Sequence, residues 1–175
     1  MKTARLALLL LASLLPAVPG CMSDSPDDYT FPASEMPEPE GFVESGTFVC
    51  RDFAVLWETA KIQATKNGYY VDDDATSFKG RRVVTTWKLD LATLKNSGKR
   101  RRRFVEFREA PGVKDGWKVA VSTVVQRNAD MDDPLNPARA NWRSDEPDLN
   151  DAEKVAFLIE GQFKEFGPSR EFEVK

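Results

Sequence analysis

The sequence WKVAVSTVVQR, residues 117–127, decides the fold. One face of this segment carries the apolar residues Trp117, Val119, Val121 and Val125. A period of two over this length is typical of a β-strand with one buried face. Residues 81–91 (RRVVTTWKLDL) and 102–109 (RRFVEFRE) have related patterns, and turn sequences that contain glycine separate the three segments. Together they predict an antiparallel meander.

A helix is predicted before the meander, over residues 52–67, where apolar residues recur every three or four positions. Asp52 is suited to cap its N-terminus, and Asn67 with Gly68 is typical of a C-terminal stop. Residues 69–71 then begin a short strand, which brings the predicted number of strands to about four.

A second helix is predicted after the meander, over residues 151–166. Asn150 and Glu153 have the spacing of a capping box, and an apolar stripe follows them. Residues 128–148 contain three prolines and many acids, and we interpret them as a long ordered loop or an edge segment. The predicted fold class is therefore α+β: a helix, an antiparallel meander of about four strands and a second helix, with both helices packed on one sheet face.

The composition excludes several classes of site. The 175 residues include no histidine, which removes histidine-based triads and most zinc sites. The two cysteines, Cys21 and Cys50, cannot form a disulfide framework. Cys50 lies among apolar residues, so we predict that it is a buried, unreactive side chain. No catalytic residue, metal ligand or cofactor is predicted.

Two acidic segments contain the residue types of a calcium site. Asn128, Asp130 and Asp132 occupy every second position, as the first ligands of a calcium loop do, but Asp133 and Arg139 stand where the loop requires glycine and glutamate. Residues 72–74 are three aspartates. For these, an exposed turn and a calcium site shared with distant segments are the alternatives.

Residues 1–20 have the organisation of a signal peptide. Lys2 and Arg5 supply positive charge, and a largely apolar run of ten residues, 6–15, follows them. A ten-residue helix is about 15 Å long, roughly half the thickness of a bilayer core, so this run is too short to span a membrane. We therefore predict an exported protein.

Val18, Pro19, Gly20 and Cys21 resemble the lipobox of bacterial lipoproteins. The resemblance implies cleavage between Gly20 and Cys21, and attachment of a diacylglycerol and an acyl chain such as palmitate at Cys21. Several acyl chains together anchor a protein stably in a membrane. Pro19 departs from the usual alanine, serine or threonine, and an ordinary signal peptide with an incidental cysteine is the alternative. The sequence does not distinguish the inner membrane from the outer membrane.

Residues 21–40 form a predicted disordered tether between the lipid and the domain. They contain six acids, four prolines and no lysine or arginine, a composition that cannot bury a core. An acidic tail that binds a partner is the alternative. Residues 41–175 make up a single predicted domain with 23 Lys and Arg against 22 Asp and Glu. Because this domain is not basic overall, nucleic acid is not expected as a partner.

The sequence VLW at residues 55–57, the sequence NGY at residues 67–69 and the strands after Gly80 follow one another within residues 48–165. This order is similar to that of the BamC-type accessory lipoproteins of outer-membrane β-barrel assembly. The resemblance implies a small helix–sheet domain of the bacterial envelope and says little about its partner.

A run of five cations is the strongest local charge feature, and two further arginines are expected near it across a hairpin. These residues are Arg81, Arg82, Lys99, Arg100, Arg101, Arg102 and Arg103. One interpretation is a solvated strand end, where substitutions leave folding nearly unchanged. The other is an anion-binding surface for phospholipid head groups, lipopolysaccharide phosphates or an acidic partner.

Three of the four tryptophans, Trp57, Trp87 and Trp117, lie on predicted apolar stripes and are expected in the core. Trp142 lies in the polar segment after the strands. We expect it either to fix that segment to the domain or to present an exposed aromatic contact to a sugar or a protein.

These features predict a membrane-anchored bacterial lipoprotein whose domain faces the periplasm and acts as a binding or scaffold module in the cell envelope. Its partners would be the membrane, through the lipid, and an envelope protein or anionic lipid head groups. The alternative is a histidine-free envelope hydrolase that uses carboxylates. A hydrolase requires converging acids in a deep pocket, whereas a binding module requires a shallow groove or an exposed sheet edge.

Replacing Cys21 with serine removes the thiol to which the lipid would be attached. We expect the Cys21→Ser chain to lose labelling by a fatty-acid probe, and to be released from membranes or to stay uncleaved. Metabolic labelling followed by membrane fractionation measures both effects against the unchanged chain. Labelling of the Cys21→Ser chain at the unchanged level would contradict lipidation at this residue.

Overall fold

The structure, a computed structural model, describes residues 38–166, which belong to one unit. The predicted signal peptide, Cys21 and the tether as far as residue 37 lie outside the described residues. Two α-helices and seven strands make up the described fold. In chain order they are β1 (Val43–Glu44), β2 (Phe48–Val49), α1 (Phe53–Ala64), β3 (Arg82–Val84), β4 (Lys88–Ala92), β5 (Ser97–Glu109), β6 (Gly116–Asn128), β7 (Trp142–Asp145) and α2 (Leu149–Phe166).

The centre of the sheet is the hairpin of β5 and β6, each 13 residues long. Lys99 lies opposite Arg127 and Glu109 lies opposite Trp117, and the antiparallel pairing between these two ends is uninterrupted. In the turn, Gly112 adopts a φ of 77°, a conformation that favours glycine. All the other strands pair with one of these two long strands.

Five short strands extend the hairpin on both sides to give a seven-stranded antiparallel sheet. β1, β2 and β7 pair with β6, and β3 and β4 pair with β5. The α+β class is as predicted, but the predicted number of about four strands is too low. β1 and β2 are only two residues long, so neither has a periodicity that the sequence can reveal. Residues 69–71, predicted as a strand, contribute an isolated bridge between Val71 and Thr85.

A β-bulge divides the first predicted strand of the meander into β3 and β4. Thr85 pairs with Arg103 through a backbone hydrogen bond of 3.0 Å. Lys88 pairs with Arg101. Between these pairs β5 has one residue and the opposite strand has two, which defines the bulge. Because the extra residue reverses the alternation, Trp87 lies on the face opposite to the helices and not in the predicted helix-side core.

Both helices and one face of the sheet share a single apolar core. Its buried residues are Phe48, Cys50, Leu56, Trp57, Ala60, Ala64, Val83, Val105, Phe107, Trp117, Val119, Val121, Ala152, Val155, Ala156, Ile159 and Phe163. Trp57, Trp117 and Cys50 are buried here as predicted. No helix within residues 38–166 is long and apolar enough to cross a membrane.

The opposite face of the sheet carries a second, smaller apolar cluster. It consists of the buried Val84, Phe104 and Val124, with the partly buried Phe42, Ala75 and Trp87 packed against them. The hydroxyl of Ser122 donates to the carbonyl of Glu40, so the chain that leads into β1 is bonded to the sheet at this point. The sheet therefore has apolar packing on both faces.

The predicted start of the first helix agrees with the structure, but the helix ends at Ala64, three residues before the predicted Asn67. The Asp52 carboxylate accepts the N–H of Ala54 at 2.9 Å and caps α1. After the helix, Asn67 and Gly68 adopt positive φ angles of 66° and 80°, which turn the chain away from the helical path.

The second helix begins two residues earlier than predicted, at Leu149. Its cap is Asp148, whose Oδ1 accepts the N–H of Asp151 at 3.0 Å. The predicted capping box of Asn150 and Glu153 is therefore wrong. Asp148 and Asp151 have the same spacing as Asn150 and Glu153, so the sequence pattern alone did not favour the observed cap.

Replacing Asp148 with alanine removes this cap while leaving the helical residues unchanged. We expect the free energy of unfolding to fall by about 1 kcal/mol, the usual effect of losing an N-cap. Asn150→Ala is the matched control and should change it by less than about 0.5 kcal/mol. Urea unfolding measures both variants. An equal loss in the two would contradict the assignment of Asp148 as the cap.

Candidate binding surface on the arginine-rich strand

The cations at residues 99–103 all lie in β5, and their side chains alternate between the two faces of the sheet. The odd-numbered residues point to the helix side, where Arg103 reaches Asp151. Arg100 and Arg102 point to the opposite face, where both contact Trp87. The expectation of a solvated strand end does not hold for Arg100, Arg102 and Arg103, which are 6%, 3% and 2% exposed.

Arg103 lies where the two helices meet the sheet. Its guanidinium donates to the two carboxylate oxygens of Asp151 in α2 at 2.6 and 2.8 Å. It also donates to the carbonyls of Ala64 and Lys66, at the end of α1, at 2.9 Å each. The guanidinium lies 3.8 Å from the centre of the Tyr69 ring. One side chain therefore joins both helices to the central hairpin.

The carboxyl of Asp151 stays ionised to lower pH than an ordinary aspartate. Burial raises its pKa, but the hydrogen bonds and charge of Arg103 lower it, as does the hydroxyl of Thr123, which donates at 2.8 Å. The net result is a pKa below the ordinary value. A buried pair with its hydrogen bonds satisfied is tolerated, whereas removal of one partner leaves a buried charge without compensation.

Arg102 forms the corresponding ion pair on the opposite face, with Asp72. Burial lowers the pKa of the Arg102 guanidinium, and the charge of Asp72 opposes that shift. Asp72 also accepts the N–H of Ala75 at 3.1 Å and so closes the turn that contains Asp73 and Asp74. The first aspartate of this segment thus pairs with an arginine, and the other two are exposed, as expected of a turn.

Arg100 is held between two tryptophans. Its guanidinium lies 4.4 Å from the ring centre of Trp87 and 4.6 Å from that of Trp142. Its Nε donates to Gln126 at 2.7 Å. Trp142 is half-buried and belongs to β7, so its stacking on Arg100 attaches the polar segment to the sheet. This position corresponds to the first of the two roles expected for Trp142.

The structure does not bring Arg81 and Arg82 together with residues 99–103. They lie at the other end of β5, where Arg82 pairs with Glu106 at 2.7 Å. Arg81 pairs with Glu109 at 2.8 Å. Both arginines are exposed, and each has a carboxylate partner.

An open depression of about 250 Å³ lies on the helix side of the sheet, next to the start of α2. We call it the charged depression. Its lining residues are Lys99, Arg101, Val125, Asp145, Glu146, Pro147 and Asp148. It therefore contains the only members of the run 99–103 that are partly exposed.

Ion pairs organise the charged depression. Lys99 donates to Asp145 at 2.9 Å, and this hydrogen bond is the main reason why the pKa of Asp145 lies below its ordinary value. Arg101 lies 3.4 Å from an oxygen of Asp90 and 3.5 Å from one of Asp148. The cations here are partly exposed, but each already faces a carboxylate.

The aspartates after β6 hold backbone turns. Asn128 Oδ1 accepts the N–H groups of Asp130 and Asn141, both at 3.0 Å. The carboxylate of Asp130 accepts the N–H of Asp132 at 3.0 Å. Within residues 38–166, no group of three or more His, Cys, Asp or Glu side chains is arranged to hold a metal ion.

Cys50 borders a second open depression, of about 690 Å³, at the turn between β5 and β6. The thiol donates to the carbonyl of Asp52 at 3.0 Å. Burial raises the pKa of Cys50, and backbone hydrogen bonds only partly oppose that shift. The thiol therefore stays protonated at neutral pH, which is unfavourable for a nucleophile.

Sequence reasoning identified the arginines but missed their partly buried partners, Asp72 and Asp151. These acids are 30 and 48 positions away from Arg102 and Arg103. One signal was available. Arg103 lies on the same alternating stripe as the apolar Val105, and a cation on a buried stripe requires an acidic partner.

No protein-family model matches the chain, and no curated protein matches it significantly.

Replacing Asp151 with asparagine leaves Arg103 buried without its counter-charge. At pH 7 we expect a loss of about 3 kcal/mol in the free energy of unfolding. Asp145→Asn is the matched control, because its partner Lys99 is partly exposed, and it should cost less than about 1 kcal/mol.

The difference between the Asp151→Asn and unchanged chains should depend on pH. An aspartate with a lowered pKa stabilises the fold above about pH 4, and that stabilisation is lost as the pH falls through its folded value. The two chains should therefore approach each other in stability toward acid pH. Urea unfolding at pH 7 and at successively lower pH, as far as both chains stay folded, tests this. A difference in the free energy of unfolding that does not change with pH would contradict the charge argument.

Proposed function

We propose that this chain is a bacterial envelope lipoprotein, anchored through Cys21, whose domain faces the periplasm and binds another protein. The contact surface in this proposal is the charged depression. The lipobox resemblance at residues 18–21 supports the anchor, and the resemblance to BamC-type subunits supports a scaffold role in the envelope.

The observation that carries the proposal is the mixed charge of the depression. Its lining has two cations, Lys99 and Arg101, and three acids. Both cations are paired with carboxylates. An anionic lipid surface would have to displace those carboxylates, whereas a protein with charges of both signs can exchange partners with them pair by pair. This favours an envelope protein over lipid head groups.

We propose binding and not catalysis because of the state of the acids. A general acid at neutral pH requires a raised pKa. The pKa of Asp145 is lowered instead, and Asp148 is occupied as the cap of α2. The hydrolase that uses carboxylates is the alternative to this proposal.

A photo-crosslinking residue at Glu146 tests the proposal in cells. Glu146 is exposed and lines the charged depression. We expect a discrete adduct with one envelope protein, reduced about tenfold when Lys99 and Arg101 are both changed to glutamate. Lys114 is the matched control, because it is exposed at the opposite end of the β5–β6 hairpin.

Two outcomes would contradict the proposal. The first is an equal yield of the adduct from crosslinkers at positions 146 and 114, which would indicate non-specific contact and not a defined binding surface. The second is salt-sensitive binding of residues 38–175 to anionic vesicles that is lost on changing Lys99 and Arg101 to glutamine. That result would assign the depression to lipid head groups.

A further inference from the structure

β4 forms an open edge of the sheet. Its residues pair with β5 on one side, from Lys88 opposite Arg101 to Ala92 opposite Ser97. On its other side, within the part of the chain that the structure describes, no strand pairs with it and no backbone group is bonded to it. An unpaired strand edge is a template for pairing with another chain.

The ladder identifies which residues of β4 point their backbone groups outward. The Thr85 N–H donates to the carbonyl of Arg103, so Arg103 directs its backbone groups to the side of β3 and β4. β5 pairs with β6 without a bulge, so its other odd-numbered residues do the same. These residues face Lys88, Asp90 and Ala92. Leu89 and Leu91 therefore direct their N–H and C=O groups to the open edge.

The side chains of Leu89 and Leu91 also reach the solvent. They are 39% and 40% exposed and lie on the same face of the strand. β4 thus presents two apolar side chains beside four unpaired backbone groups. This combination lets a second strand gain hydrogen bonds and apolar contact together.

We propose that β4 pairs antiparallel with β4 of a second copy of this chain, with Leu89 opposite Leu89. Leu89 of one copy and Leu89 of the other then form a hydrogen-bonded pair around a two-fold axis. The same register places Lys88 of each copy opposite Asp90 of the other. Cross-strand pairs of opposite charge stabilise a sheet, so this strand is complementary to itself.

Charge distinguishes this register from its neighbour. The next register that keeps the outward-facing residues opposed moves one strand by two residues and would place Asp90 directly opposite Asp90, with Cα atoms about 4.5 Å apart in the close type of pair. Like charges in that position are destabilising. Asp90 has half of its side chain exposed beside Arg101, so it can accept a second cation from the other copy.

This inference does not depend on the proposed function, because it requires neither the anchor nor the binding of a partner in the charged depression. The interface contains one strand of five residues from each copy. It is therefore at the small end of specific interfaces, and we expect a dimer that dissociates on dilution.

Disulfide cross-linking of the full chain tests the register. Cys21→Ser removes the competing thiol near the N-terminus, and Cys50 is buried. In this background Leu89→Cys should give a covalent dimer, because Cα atoms of a hydrogen-bonded pair lie about 5.5 Å apart, within disulfide range. Asp90→Cys and Leu91→Cys are the matched controls, since the register holds each too far from its own copy to cross-link.

Charge reversal provides the second arm of the test. In the Leu89→Cys chain, Lys88→Glu or Asp90→Lys alone should lower the dimer yield about tenfold, because two cross-strand pairs become repulsive. Mixing these two variants, distinguished by tags of different size, should restore the yield in the heterodimer only. Urea unfolding of each variant controls for loss of the fold.

Three outcomes would overturn the inference. They are absence of the Leu89→Cys dimer up to about 1 mM protein, a stronger dimer from Asp90→Cys, and no recovery on mixing the two folded charge variants. A dominant Asp90→Cys dimer would assign β4 to a register that its charges oppose, so it too counts against the proposal.

Discussion

The buried guanidinium of Arg103 is the constraint on which the arrangement of the domain depends. A charge taken out of water is tolerated only where fixed partners surround it. Here those partners are Asp151 at the start of α2 and two carbonyls at the end of α1. Helix ends have backbone groups that need partners, and each end favours a charge of the opposite sign. The requirements of one side chain and of two helix ends are therefore met at a single point, which fixes where both helices lie on the sheet.

The same rule organises the rest of the arginine-rich strand. Arg100 contacts Gln126 and two aromatic rings, and Arg102 pairs with Asp72. The run of residues 99–103 has the composition of a basic patch, but three of its five side chains are buried and serve the internal packing. Little of the positive charge of this run is therefore left on the surface. The partly exposed remainder, Lys99 and Arg101, is balanced by acids that the start of α2 and β7 supply. Within five consecutive residues, the three buried arginines thus hold the fold together, and the two partly exposed cations line a surface depression.

Much of the fold was predictable from the sequence because its signals are local. The period of two in the long strands, the stripes of both helices and the cap at Asp52 depend on residues close together in the chain. The bulge at Thr86 and Trp87 was not predictable. The sequence of residues 81–91 alternates as one continuous strand would, and nothing in it marks the residue that has no partner on β5. The partners of the buried arginines were missed because pairing of Arg103 with Asp151 joins residues 48 positions apart. Which acid pairs with which arginine depends on how the helices cross the sheet, and no single segment of the sequence determines that.

The two-residue strands β1 and β2 have a mechanical consequence. Each holds the chain to β6 by a pair of residues, whereas β5 and β6 pair along almost their whole length. Tension applied from the N-terminal side would reach the hydrogen bond from Ser122 to the Glu40 carbonyl first, and then β1 at Val43. These contacts would peel away one after another while the hairpin stayed closed. The residues before β2 would thus act as an extensible lead that lengthens under a pull before β2, whose Phe48 belongs to the apolar core, is disturbed.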